Sequence, residues 1–287
     1  MYDVIIIGKG PAGIEAALYT KRANLNTLVI GSDFGALKKT DKIENYYGFA
    51  KPIKGAVLVE EGIKQAENLG IEVISKEVTS IEYQENFVVK TVNENYETKA
   101  VILATGTNRK KPLIKGIKEF EGKGVSYCAI CDAFFYKEKD VAVLGSGEYA
   151  ISEAEELLPI AKKITILTNG DKPIEVRSDK IDCNDKPISE FVGTDLLQGV
   201  KFKDNSELAI NGVFVAEGVA SSVDFAKKLG IQVENNAIIV DKEMKTNMPG
   251  VFAAGDCTGG LLQISKAIYE GAKAGLSAVT YVRSLNG

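Results

Sequence analysis

The sequence contains no histidine. That excludes Ser-His and Cys-His catalytic pairs and every His-ligated metal site, so any chemistry must run on Cys, Asp, Glu, Lys, Tyr or a bound cofactor. No apolar run approaches the ~20 residues that span a bilayer, which argues against a membrane protein. Met1-Tyr2-Asp3 lead straight into an apolar strand with no basic stretch before it, so no export signal is expected and the expected location is cytoplasmic. A surplus of positive charge is also missing. Lys and Arg number 35 against 39 Asp and Glu, a net charge of −4, which disfavours non-specific binding to nucleic acid. Cysteine is scarce, with four in 287 residues, too few for a disulfide-stapled secreted scaffold.

Two of those four are paired in sequence. Cys128 and Cys131 form a C-x-x-C, which in a chain without export signals reads as redox or metal chemistry. Zinc would want four ligands, and the lone Cys183 and Cys257 stand at no ligand spacing, so redox chemistry is the better reading and no metal is expected. Cys183 and Cys257 are expected to be packing residues.

The length of 287 residues suggests two domains at about 150 residues each. With 45% hydrophobic and 26% charged residues, the chain has the composition of a folded protein and not of a disordered one. The β-branched run Val4-Ile5-Ile6-Ile7 reads as a buried parallel strand. It breaks at Gly8-Lys9-Gly10-Pro11-Ala12-Gly13, enters a helix through Leu18, and closes a β-α-β unit with Thr27-Leu28-Val29-Ile30. Helical spacing runs from Lys54 to Leu69, with short strands expected near 71–74 and 87–91, and Ala100-Val101-Ile102-Leu103 leads into Ala104-Thr105-Gly106. The pattern then restarts with Val141-Ala142-Val143-Leu144, Gly145-Ser146-Gly147-Glu148-Tyr149-Ala150, a helix to Leu158 and the strand Ile164 to Leu167. The two Gly-rich turns stand 137 residues apart, Gly8 to Gly145, an internal repeat that means two nucleotide-binding-like folds. A last strand and turn, Gly250 to Asp256, precede an amphipathic helix from about Leu262 to Val282. Residues 169–207 carry no readable pattern.

The first G-x-G-x-x-G follows a strand and opens a helix, the context in which glycines let a backbone approach a pyrophosphate while the helix N-terminus offers free N–H groups. The acid expected about 20 residues on is degenerate, since Gly31 follows the second strand and the nearest carboxylate is Asp33. In the second turn Tyr149 puts a bulky ring where small residues normally stand, and the next strand ends in Thr168-Asn169-Gly170. Neither an acid for a ribose nor an Arg for a 2′-phosphate is present there, and Lys172 and Arg177 are the nearest cations. A fold kept for packing, with no nicotinamide bound, is the favoured reading. At Cys128-Ala129-Ile130-Cys131-Asp132, a helix opening at the first Cys would lower its thiol pKa, and Asp132 supplies a proton donor or acceptor in a chain without His. Asp256 ends a strand, where it can accept a hydrogen bond from a sugar-like hydroxyl or cap a helix.

In their order and context these pieces resemble the low-molecular-weight flavin-dependent thioredoxin reductases over essentially the whole chain. The resemblance implies an α/β fold of two Rossmann-like domains (three-layer ββα type), the second inserted in the first. An FAD domain would comprise 1–113 and 243–287, and an inserted redox-disulfide domain 114–242. It implies that Gly8, Gly10, Pro11, Ala12 and Gly13, with Ala104, Thr105 and Gly106, line the FAD. Gly255 and Asp256 would bind the ribityl chain, and Gln263 and Ile264 would approach the flavin ring. Cys131 would face the flavin, Cys128 would attack the disulfide of thioredoxin, and Asp132 would be the acid–base. Family members are homodimers.

Members that use NADPH carry a His-Arg-Arg-like cluster where this chain has Thr168-Asn169-Gly170. That departure, the short inserted domain and Tyr149 are similar to the pyridine-nucleotide-independent branch, the ferredoxin-linked flavin thioredoxin reductases of anaerobic bacteria. The implied electron path runs from reduced ferredoxin, one electron at a time, through flavin to the Cys128–Cys131 disulfide and on to thioredoxin. Six cations between Arg109 and Lys123 (Arg109, Lys110, Lys111, Lys115, Lys118, Lys123) offer an acidic ferredoxin a basic surface, or form a solvated linker. The alternatives are an NAD(P)H-dependent thioredoxin reductase, a flavin dithiol oxidase using oxygen, whose relatives usually place His where this chain has Asp132, and a non-catalytic flavin-binding protein.

Overall fold

The computed structural model describes residues 1–33, 35–106, 112–172 and 178–285, the side chains of Lys39 and Ile130 excepted. The chain divides into two compact units, 1–108 with 221–287, and 109–220. None of the described helices is long and apolar enough to cross a membrane.

Strand β1 (Tyr2–Ile7) carries four consecutive buried residues, Val4 to Ile7, as a strand covered on both faces must. Helix α1 (Pro11–Arg22) brings the chain back so that β2 (Thr27–Ile30) pairs with β1 in parallel, Thr27 opposite Val4. Helix α2 (Gly55–Asn68) leads to the edge strand β3 (Glu72–Ile74), parallel to β2. An antiparallel meander follows: β4 (Val78–Tyr83), β5 (Phe87–Thr91) and β6 (Asn95–Leu103). Strand β6 is long enough to serve two pairings. Its first half pairs with β5, and Ala100 to Leu103 run parallel to β1.

The second unit repeats this plan. Its strands are β7 (Val125–Ser126), β8 (Asp140–Leu144), β9 (Lys163–Leu167), β10 (Ile181–Asn184), β11 (Ile188–Gly193), β12 (Leu197–Phe202), β13 (Glu207–Ala209) and β14 (Gly212–Val215). Helix α3 (Ala129–Asp132) lies between β7 and β8, and α4 (Glu148–Leu157) between β8 and β9. The parallel sheet runs β10-β9-β8-β14-β7, with β11-β12-β13 as a separate antiparallel sheet. Strands β10 to β13 fill the stretch that the sequence left unassigned. They escape a periodicity reading because they are short and β11–β12 carries two register shifts, which break the alternation.

The chain then re-enters the first unit through α5 (Ser222–Lys228), the hairpin β15 (Val233–Glu234) and β16 (Ala237–Ile238), β17 (Val251–Ala253) and α6 (Ile264–Ser284). Strand β17 adds in parallel to β6, so the parallel order of the first unit is β3-β2-β1-β6-β17. Two open parallel sheets, each with an antiparallel meander before its fourth strand, make the α/β architecture that the repeat predicts. The return boundary differs from the expected 243. Residues 221–242 pack with the first unit, where Ser222, at the start of α5, exchanges hydrogen bonds with Thr105.

Candidate functional site

Gly8 ends β1 at φ +115°, where a Cβ would lie 2.3 Å from the Ala104 carbonyl oxygen. At Gly13 a Cβ would stand 1.9 Å from the Gly8 oxygen, so the helix can start this close to the strand only on glycine. Gly10 is different: a Cβ there meets nothing within 4 Å. Gly10 is the N-cap of α1, Pro11 is its first residue, no side chain caps it and its first turn holds no acid. The first-turn amides are therefore left for an anion. These residues fit a dinucleotide pyrophosphate.

At the end of β2, a Cβ on Gly31 would stand 3.0 Å from Lys9 Cγ. The Lys9 stem thus covers the position where a ribose-binding acid would be expected. Lys9 is buried and donates to Ser75 Oγ at 2.7 Å, and burial lowers its pKa against the pull of Asp33. Beside the turn, Ala104 N donates to Ile7 O at 2.8 Å, and Ser222 N donates to Thr105 Oγ1 at 2.7 Å. Gly106 takes φ +81°.

The Gly255-Asp256 turn is built from below. Lys266 Nζ donates to the Gly255 and Gly259 oxygens at 2.8 and 2.6 Å and to Thr258 Oγ1 at 2.8 Å, and pairs with Glu270 at 3.1 Å. Glu270 in turn accepts from Gly255 N at 2.8 Å. Asp256 is half-buried, and burial raises its carboxyl above the ordinary value, with Lys266 drawing it back and Glu270 adding to the rise. Gln263 caps α6 through its backbone only, which frees its side chain to accept from Asn45 Nδ2 at 3.0 Å. Ile264 is the first residue of that helix. Asn45 was missed in the sequence, since it lies in an irregular stretch 218 residues from its partner.

In the second unit Cys128 and Cys131 form a disulfide, with Cα atoms 5.3 Å apart. Cys128 is the N-cap of α3 and its Sγ accepts from Cys131 N at 3.2 Å. Cys128 is buried and Cys131 exposed. Asp132 Oδ2 accepts from Ser126 Oγ at 2.7 Å, and Ser126 Oγ accepts from Cys128 N at 3.1 Å. Asp132 also raises the pKa of Tyr136, after burial, which is the larger cause. Phe134 and Phe135 follow the pair with 79% and 67% of their surface exposed. Two aromatic side chains are thus left in water beside the disulfide, an exposed apolar patch that the sequence pattern does not reveal. The free thiols differ: Cys183 is half-buried, and Cys257 is buried, donating to the Leu103 and Ala254 oxygens.

The second Gly-rich turn has the backbone of the first without its setting. A Cβ on Gly145 would meet Ala216 O at 2.3 Å, matching Gly8, and Ala150 stands where Gly13 does. Tyr149, expected to crowd the phosphate side, is instead 2% exposed, its ring taken into the core from the first turn of α4. Three carboxylates surround this turn. Glu148 opens α4, Ser146 Oγ donates to Asp171 Oδ2 at 2.6 Å, and Glu217 is raised by burial and by Asp171. After β9, Asn169 Oδ1 accepts from Ile188 N at 2.7 Å and Thr168 Oγ1 donates to Asp171 O at 2.7 Å. Lys172 is exposed, and Arg177 lies outside the described residues.

Two units of this fold, one with an open pyrophosphate turn and one with a disulfide, define a nucleotide-dependent disulfide oxidoreductase. The family described as pyridine nucleotide-disulphide oxidoreductase matches residues 2–271. The chain is 40% identical over 276 residues to the thioredoxin reductase of Aquifex aeolicus, covering 89% of this chain and 85% of that one. Among solved structures, the atypical thioredoxin reductase TRi from Desulfovibrio vulgaris Hildenborough superposes with a TM-score of 0.92 at 39% identity, covering 99% of both chains. A ferredoxin-flavin thioredoxin reductase from Clostridium acetobutylicum gives 0.72 at 36% identity, covering 99% and 98%. The chain belongs to the pyridine nucleotide-disulphide oxidoreductase family, among the thioredoxin reductases.

Proposed function

We propose that this chain is a flavin-dependent thioredoxin reductase that takes electrons from reduced ferredoxin and not from NADPH. The observation that carries the choice of donor is Asp171, a carboxylate bonded to the hydroxyl of the second Gly-rich turn at 2.6 Å. A pyrophosphate or 2′-phosphate there would meet negative charge from Asp171, Glu148 and Glu217, and Thr168-Asn169-Gly170, where NADPH users carry their cation cluster, offers no cation to offset it. Each lost charge-assisted contact costs about 1.5–3 kcal/mol, roughly 10- to 100-fold in affinity. The likeness to a ferredoxin-flavin thioredoxin reductase supports the same reading. Direct reduction by NAD(P)H is the second reading, favoured by the retained Gly145-x-Gly147-x-x-Ala150 backbone.

Gly8, Gly10, Pro11, Ala12 and Gly13 would hold the FAD pyrophosphate, with Ala104, Thr105 and Gly106 beside it. Gly255 and Asp256 would hold the ribityl chain, and Gln263, Ile264 and Asn45 the ring. Bound FAD supplies the exchange between a one-electron donor and two-electron dithiol chemistry. Once the pair is reduced, the Cys128 thiolate attacks one sulfur of the thioredoxin disulfide, breaking that S–S bond and forming a mixed disulfide. Cys131 then attacks Cys128 Sγ, which restores the Cys128–Cys131 bond and releases the thioredoxin dithiol. Asp132, held by Ser126, delivers the proton to the leaving thiolate. Phe134 and Phe135 give the partner an apolar contact. Of the six cations proposed for ferredoxin, Arg109, Lys110 and Lys111 lie outside the described residues, Lys115 pairs with Glu190, and Lys118 and Lys123 are exposed.

The test is thiol release from thioredoxin under anaerobic conditions with reduced ferredoxin as donor. The wild type should turn over, Cys128→Ser should keep a reducible flavin and lose turnover, and Cys131→Ser should lose the flavin-to-disulfide step. Full turnover in either variant contradicts the assignment of the pair.

A further inference from the structure

Glu153 is a buried carboxylate that the chemistry above does not use. It lies in the second turn of α4 with 1% of its surface exposed, and its Oε2 accepts from Ala129 N at 3.0 Å. Ala129 directly follows Cys128 and opens the turn whose two ends carry the sulfurs. A buried carboxylate is costly unless it is hydrogen-bonded, and this one is spent on the backbone of the redox turn, reached from a different helix.

The hydrogen bonds of the turn divide by what they depend on. Cys131 N donates to Cys128 Sγ and Asp132 N to Cys128 O. Both lie within the ring closed by the S–S bond or beside it, so they hold the turn only as far as the turn holds itself. Cys128 N donates to Ser126 and Ala129 N to Glu153, which tie the same turn to the rest of the unit. Reduction cuts the S–S bond, and from then on these outside ties keep the two thiols in facing positions. Of the two, only the Ala129–Glu153 bond reaches between the sulfurs, and its acceptor stands on a different helix.

We propose that Glu153 is a positioning residue for the redox pair: its carboxylate pins the Ala129 amide so that the reduced Cys128 and Cys131 stay poised to close again. This rests on the reading that the pair cycles between dithiol and disulfide. It concerns the acceptor geometry at Ala129, which a glutamine preserves through its carbonyl oxygen and an alanine removes.

The experiment equilibrates the purified flavoprotein with mixtures of glutathione and its disulfide and reads the Cys128–Cys131 state by alkylation and mass spectrometry. Closure of the pair takes two thiols and one glutathione disulfide to one protein disulfide and two glutathiones, so the equilibrium constant is the effective concentration of the two thiols. Glu153→Ala should lower it by about tenfold, the loss expected when a buried donor is left without its hydrogen bond, and Glu153→Gln should stay within about threefold of wild type. An unchanged constant in Glu153→Ala, or an equal loss in both variants, overturns the proposal. A second readout needs no variant. Hydrogen exchange on the wild type should show the Ala129 amide protected in both redox forms, and loss of that protection on reduction also overturns it. A wild-type pair that never exchanges with glutathione would instead refute the redox reading beneath it.

Discussion

Cys257 and Cys131 carry the same side chain in opposite surroundings, the first buried and the second exposed. Burial pushes the Cys257 thiol up to about 12, with its contacts to Ser222 and Ala254 opposing the rise. Iodoacetamide at pH 8 should therefore label Cys183 and reduced Cys131 in the native protein and leave Cys257 unmodified until unfolding, as peptide mass mapping can check. Asp256 carries the cost of its position in a different form. A carboxyl whose folded pKa lies above its unfolded one binds its proton more tightly when folded, so it favours folding in acid. That contribution is lost as pH rises through the window between the ordinary 3.8 and the raised folded value. Asp256→Asn should accordingly melt no lower than wild type at pH 7 as apoprotein while binding FAD more weakly, measured by calorimetry and by fluorescence quenching of the flavin. A lower melting temperature would show that the carboxylate is structural.

Among the elements, α6 holds the Gly255 turn through a buried pair one helical turn apart, Lys266 and Glu270, whose side chains are 15% and 10% exposed. Lys266→Met keeps the stem and leaves the Glu270 carboxylate without its cation, a change that costs about 3 kcal/mol or more. At about 2–4 °C per kcal/mol for a unit of this size, the melting temperature should fall by roughly 6–12 °C, and FAD should bind more weakly as the turn loosens. The sequence showed β1, β2, β6, β8 and β9 because strands buried on both faces are written as unbroken apolar runs. It hid β10 to β13, whose bulged and polar-facing residues keep no period. The glycine turns and the Cys pair were legible because each needs particular residues at fixed spacing. Asn45, Ser222, Lys266 and Glu153 were not, since each acts through a partner that only the fold brings near, up to 218 residues away.

Across the whole molecule the same Gly-rich plan occurs twice, and the two copies differ in charge. At the first, α1 opens without an acid in its first turn, and at the second, Glu148, Asp171 and Glu217 gather around the opening of α4. The sequence pointed to Tyr149 as the obstacle there, but its ring is in the core, and Asp171 holds the place by a bond that sequence spacing does not show. Replacing Thr168-Asn169-Gly170-Asp171 by cationic and small residues, in the single variant Asp171→Arg at the least, should increase reduction by NADPH and leave ferredoxin-driven turnover within about twofold. The most direct measurement is an anaerobic titration of the flavin absorbance, with NADPH and NADH in one series and reduced ferredoxin in the other. Reduced ferredoxin should bleach the flavin while neither nicotinamide does, and rapid bleaching by NADPH would overturn the choice of donor.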